Sequence, residues 1–128
     1  MALPNEKFEE IKLKIQNFID SEMVAHEEDF NINHKFADHL EFLEEKRNLV
    51  REMGLFAPQI SKEHGGLGLS LHQLGQIYEI LGKTFYGLYV FNCQAPDAGN
   101  MEILIEHGSN YQKETFLNPL VEGKIRSC

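Results

Sequence analysis

Three carboxylates, Glu79, Asp97 and Glu102, are of a type suited to proton abstraction, and they lie within 24 positions of one another in a 128-residue chain. Two thiols, Cys93 and Cys128, could serve as nucleophiles or soft ligands, and six histidines could bind metal. Spacing argues against the thiol and metal chemistries. His26, His34, His39, His64, His72 and His107 form neither a His-Glu-x-x-His motif nor an i, i+4 pair. The two cysteines are too few and too isolated for a disulfide framework or a zinc site. Reduced thiols and no metal are therefore expected.

Residues 91–104, Phe-Asn-Cys-Gln-Ala-Pro-Asp-Ala-Gly-Asn-Met-Glu-Ile-Leu, favour binding over catalysis. Pro96 and Gly99 interrupt an otherwise apolar helical run from about Tyr86 to His107. A proline in that position removes the bond to the Asn92 carbonyl and kinks the helix. A glycine one turn later costs about 1 kcal/mol relative to alanine. The small residues Ala95, Ala98 and Gly99 would leave a groove flanked by Phe91 and Met101, able to admit a thin apolar ligand or a neighbouring helix. The plainer alternative is two short helices meeting at Ala95-Pro96-Asp97, with Asp97 capping the second.

The elements that must hold this stretch all carry helical period. Phe8, Ile11, Ile15, Phe18 and Ile19 mark a first helix from about Asn5, the expected N-cap, to Ala25. His26 to Lys35 reads as a loop, and Glu27-Glu28-Asp29 as a solvated charge cluster. A second helix carries Phe36, Leu40, Leu43 and Val50 and ends at Gly54, a residue free to adopt the left-handed conformation. Pro58 and the glycines 65, 66 and 68 form the next connection, and Ser70 with Gln73 makes a capping box. Leu71, Leu74, Ile77, Tyr78 and Leu81 then share one face of a third helix. After the 86–107 segment, Gly108 is the expected left-handed terminator, and Ser109 with Gln112 opens a last helix that Gly123 closes. Residues 124–128 read as the start of an extended strand. The fold class is all-α, an orthogonal or up-down bundle of about five helices over residues 1–123.

Bulk properties exclude several function classes. Hydrophobic content of 42% and charged content of 25% are those of an ordinary globular protein. A net charge of −8 disfavours nucleic acid and anionic membrane as partners. No apolar run approaches the roughly 20 residues that span a bilayer, and no signal-peptide pattern follows Met1. A cytoplasmic location is expected.

The Gly54-Leu55, Pro58 and Gly65-Gly66-x-Gly68 connection, the Gly99-Asn100-Met101 run and the Ser109 to Gly123 stretch together resemble the N-terminal helical domain of acyl-CoA dehydrogenases. The Ala95-Pro96-Asp97-x-Gly99-Asn100-Met101 form is most similar to members acting on long or branched chains. The resemblance implies a fatty-acid oxidoreductase using FAD, in which a glutamate takes the α-proton of an acyl-CoA thioester while the β-hydride moves to the flavin. It implies that residues 124–128 begin a flavin-binding β-domain. The flavin site and the catalytic glutamate would then lie in further domains, so this chain alone is expected to bind no FAD and to be inactive. Val90, Phe91, Gln94 and Ala98 are the positions that the resemblance places along the acyl tunnel. Leu71, Leu74, Phe85, Tyr89 and Phe91 would face the flavin domain and, left uncovered, drive homo-oligomerisation. The alternatives are a non-catalytic helical interaction module and the equivalent domain of a sister flavoenzyme such as an acyl-CoA oxidase.

Overall fold

In the computed structural model, which describes residues 2–30 and 34–128, each helix is set by a buried stripe and a local stop signal. Helix α1 (Asn5–Phe18) buries Phe8, Ile15 and Phe18. Its N-cap is Pro4 rather than Asn5, because the extended proline already offers its carbonyl to the Phe8 N–H at 2.9 Å. Coiling continues past Ala25, through a π turn (Ile19–Met23) and a 3-10 turn (Val24–Asp29). The expected 26–35 loop thus begins as helix, and its residues 31–33 lie outside the described residues. Glu27 is no idle surface charge: its carboxylate accepts the Thr84 hydroxyl at 2.6 Å and the Phe85 N–H at 2.9 Å, closing the turn after α3 (Leu71–Leu81).

A 3-10 turn (Phe36–His39) leads into α2 (Leu40–Glu52), and Gly54 follows at φ +71° as its stop signal requires. Helix α3 opens on the expected Ser70–Gln73 capping box. Gln73 also closes that end against the amino terminus, bonding both the N–H and the carbonyl of Leu3. Leu71, by contrast, is 86% exposed. As the first helical residue it stands outside the buried stripe, which is carried by Ile77, Ile80 and Leu81.

The 86–107 segment is two helices, α4 (Gly87–Val90) and α5 (Asp97–His107), separated by residues 91–96. Asn92 takes φ +58° there, so the chain is broken and not merely kinked, and the Ala95–Pro96 bond is cis. Asp97 is the first residue of α5 and Pro96 its N-cap, so the carboxylate is free for another task. Gly108 ends α5 in an extended conformation and not the left-handed one. Its lack of a side chain is still required, since a Cβ would stand 2.5 Å from the Leu104 carbonyl oxygen. The last helix runs unbroken through α6 (Asn110–Gln112), a π turn (Lys113–Leu117) and α7 (Asn118–Val121), with the Ser109–Gln112 box at its start. The widened turn accommodates Pro119, which has no N–H for the ladder and crowds the carbonyl one turn back. Residues 124–128 form neither helix nor strand, and no strand occurs among the described residues.

Packing places α1 on α3 and α2 on α4, around a main core of Phe8, Ile15, Met23, Leu43, Ile77 and Phe91. A smaller core of Ala57, Ile60, Met101, Leu117, Leu120 and Val121 joins α5 to the last helix. The break at 91–96 lies between the two. No helix among the described residues is long and apolar enough to cross a membrane.

Candidate functional site

Asn92 holds the break together. Its side-chain amide donates to the carbonyls of Leu120 and Val121, both at 3.0 Å, satisfying the exposed end of the last helix. Its own carbonyl accepts from Gln59 Nε2 at 3.0 Å, and the Ala57 N–H donates to the Phe91 carbonyl at 2.9 Å. Arg47, 1% exposed, reaches the Tyr89 carbonyl and the Asn92 amide oxygen, with its guanidinium over the Tyr89 and Phe56 rings. Burial pushes the Arg47 pKa down, and the neighbouring Glu44 works against that shift. One asparagine therefore joins α2, the 55–60 loop, the break and the last helix. Asparagine tolerates the left-handed conformation that this needs, and that tolerance is the only sequence signal for it.

Of the four residues marked for an acyl chain, Val90 and Phe91 are wholly buried, Phe91 edge-on to Phe18 with ring centroids 5.6 Å apart. Gln94 and Ala98 are half-buried, bridged by the Ala98 N–H to the Gln94 carbonyl at 3.0 Å. Phe91 and Met101, expected to flank a groove, are both turned into cores, Phe91 into the main one and Met101 into the smaller one. Ala95 and Gly99 are exposed, and a Cβ on Gly99 would meet nothing within 4 Å. What remains is a surface of small residues around Gln94 and Ala98. A separate cleft of about 830 Å³, lined by Arg51, Phe56, His64, Asn118 and Lys124 among others, includes none of these four.

Beside Gln94 and Ala98 lies Asp97, whose partners nothing in the sequence marked. Asp97 is 0% exposed and accepts four hydrogen bonds. They come from Gln94 Nε2, Arg126 Nε, and the backbone N–H and hydroxyl of Ser127, at 2.7–2.8 Å. These four donors fix the carboxylate in place.

Residues 5–124 match the family model of the acyl-CoA dehydrogenase N-terminal domain. The chain belongs to the acyl-CoA dehydrogenase family. It is 37% identical over 134 aligned residues to acyl-CoA dehydrogenase family member 11 of Gallus gallus, covering 95% of this chain and 16% of that protein. Family member 10 of Mus musculus is 41% identical over 91 residues, 70% of this chain and 8% of the relative. A solved structure from Mycobacterium abscessus, described as a putative acyl-CoA dehydrogenase, superposes with TM-score 0.77 at 31% identity, over 97% of this chain and 33% of its own. The chain thus spans a third or less of the length of each of these relatives.

In this domain of the acyl-CoA dehydrogenase family, two titratable groups near the break are shifted from their ordinary values. Burial pushes the Asp97 carboxyl up, but the bonds from Ser127 and the Arg126 ion pair outweigh it and hold it below its ordinary 3.8. Burial pushes the Cys93 thiol up to about 12, which leaves it an inert core group. The Asp97 shift carries a sign. A carboxylate with a depressed folded pKa contributes stability that is complete above 3.8 and is lost as pH falls through the lower folded value. Asp97→Asn is expected to cost about 2 kcal/mol at roughly pH 7, the range for hydrogen bonds to a charged group. Melting temperatures of both proteins from neutral pH down to about pH 3 check this, and the gap should narrow only at the acid end. A gap that is constant with pH would show that the charge contributes nothing.

Proposed function

We propose that this chain is the acyl-facing helical domain of a flavin-dependent acyl-CoA dehydrogenase, forming one wall of the tunnel that receives the acyl chain. The family match over residues 5–124 carries the reading, and the small-residue surface at Gln94 and Ala98 supports the location of the wall. Gln94 and Ala98 would touch the acyl chain, with Val90 and Phe91 giving that wall a rigid backing from within the core. The buried cations give FAD no anchor. The buried cations are committed inside the fold, Lys46 to Glu22 at 2.7 Å and Arg47 to the Tyr89 carbonyl, and neither is free for a pyrophosphate. Flavin and catalytic base are accordingly assigned to other parts of the intact protein, whose setting would be cytoplasmic.

The test is spectroscopic. A protein that continues this domain into those parts should purify yellow and lose its visible flavin absorbance on anaerobic addition of a saturated acyl-CoA. The 128-residue chain should be colourless and inactive under the same conditions. Failure of every acyl-CoA to bleach a flavin-replete protein would overturn the reaction class.

Homo-oligomerisation belongs to the same reading, in a narrower form than the sequence implied. Leu71 and Phe85 are exposed, at 86% and 71%, whereas Tyr89 and Phe91 are buried in this chain and offer no docking surface. Light scattering at high concentration is expected to show self-association that Leu71→Gln with Phe85→Ser abolishes. A monomeric wild-type chain would remove this part of the proposal.

A further inference from the structure

The four bonds to Asp97 come from two parts of the chain that are otherwise separate. Gln94 lies in the break before α5, whereas Arg126 and Ser127 lie 29 and 30 residues beyond Asp97. Oδ2 accepts both the Gln94 amide and Arg126 Nε at 2.7 Å, so these two donors share one oxygen. Oδ1 takes the Ser127 N–H at 2.8 Å and its hydroxyl at 2.7 Å. Asn100, one turn along α5, donates to the Ser127 hydroxyl oxygen at 2.9 Å. The Arg126 guanidinium also lies 5.1 Å from the Tyr89 ring centroid, which links the segment to α4.

An ionised carboxylate only accepts hydrogen bonds, so the Gln94 amide must turn its nitrogen toward Asp97. Its oxygen then points the other way, and there it is buried without a donor. An acceptor left free beside a half-buried surface is costly unless something else uses it. The orientation of that acceptor follows from the Asp97 carboxylate, whose two oxygens are held in place by Arg126 and Ser127.

We propose that Asp97 is a positioning residue that ties the C-terminal segment to Gln94, so that the placement of residues 126–127 sets the direction of the Gln94 amide on the acyl-facing wall. The role of the amide toward an acyl chain rests on the function proposed above, but the coupling itself does not. Removing Arg126 leaves Oδ2 to Gln94 alone and takes away one of the two residues that tie the carboxylate to the C-terminal segment. A carboxylate released from that segment is free to rotate about its own side chain, and the Gln94 amide bonded to it turns with it.

The side-chain amide resonances of Gln94 in the isotope-labelled 128-residue chain read this directly. Arg126→Gln and Ser127→Ala alter residues with access to solvent and leave the cores intact. Both are expected to shift the Gln94 amide pair, and Arg126→Gln to speed its hydrogen exchange by about tenfold or more, the weight of one charge-assisted bond. Lys14→Gln, on the exposed face of α1, should leave those signals in place. In an Asp97→Asn background, Arg126→Gln should add no further change. If Asp97→Asn does not fold, the two C-terminal variants decide the matter. Gln94 signals that match the Lys14→Gln control in both of them would overturn the proposal. The acyl wall is tested separately by chain-length kinetics, so the two ideas fail by different measurements.

Discussion

Replacing Gly66 with alanine is expected to lower the melting temperature by about 10 °C, while the same change at Gly75 raises it slightly. A Cβ on Gly66 would stand 2.0 Å from the Ile60 carbonyl oxygen and 2.6 Å from the Ile60 Cβ. That oxygen is backbone, held in place by the Gly68 N–H at 3.0 Å, and the Gly66 N–H is itself bonded to the Ser61 carbonyl at 2.9 Å. The clash cannot be relieved by turning a side chain. It requires the 60–68 loop to open, and Ile60, at 1% exposure, would be drawn from the smaller core. Overpacking of this kind costs about 3 kcal/mol, the upper part of its usual range, which gives the expected melting shift for a chain of this size. Gly75, inside α3, has open space for 4 Å around the point where a methyl group would stand, and its backbone is not left-handed. Alanine there should add about 0.5–1 kcal/mol through helix propensity. Thermal melts of both variants decide between a loop selected for close approach and one in which glycine is incidental. Equal stability of the two proteins would favour the second.

Ala98→Phe, made in a flavin-bearing protein that carries this domain, is expected to shorten the longest acyl chain accepted. Ala98 is the second residue of α5 and half-buried, so a phenyl ring there would project over the Gln94 surface without entering either core. Each methylene withheld from an apolar site forfeits about 0.8 kcal/mol, so excluding about three carbons lowers kcat/KM for long substrates by more than roughly tenfold. Short acyl-CoA substrates should react almost as before. Were the surface instead a contact between helices, the ring would cost about 1–3 kcal/mol of stability and reduce turnover for every chain length alike. Steady-state kinetics over a chain-length series, with melting temperatures of the same variant, separates the two. A uniform loss with a lowered melting temperature would remove Ala98, and with it Gln94, from the acyl wall.

The all-α class, the family and most of the stop signals are legible in the chain alone, because they depend on interactions only a few residues apart or on local motifs. The Ser70–Gln73 and Ser109–Gln112 boxes and the left-handed Gly54 and Gly123 form from neighbours, and they stand in the structure as the spacing requires. Whatever depends on residues far apart along the chain was settled by packing. Phe91 and Met101 look like the sides of a groove in sequence, yet both are spent in cores, since apolar periodicity cannot say which partner fills the space beside it. Glu27 reads as surface charge until the α3–α4 turn comes down on its carboxylate. The break at Asn92 needs the end of a helix 28 residues later to satisfy its amide, and Asp97 needs Arg126 and Ser127. A polar side chain carries no local mark of the distant donor that will neutralise it. Only the folded chain brings the two together, and there burial makes the pairing obligatory.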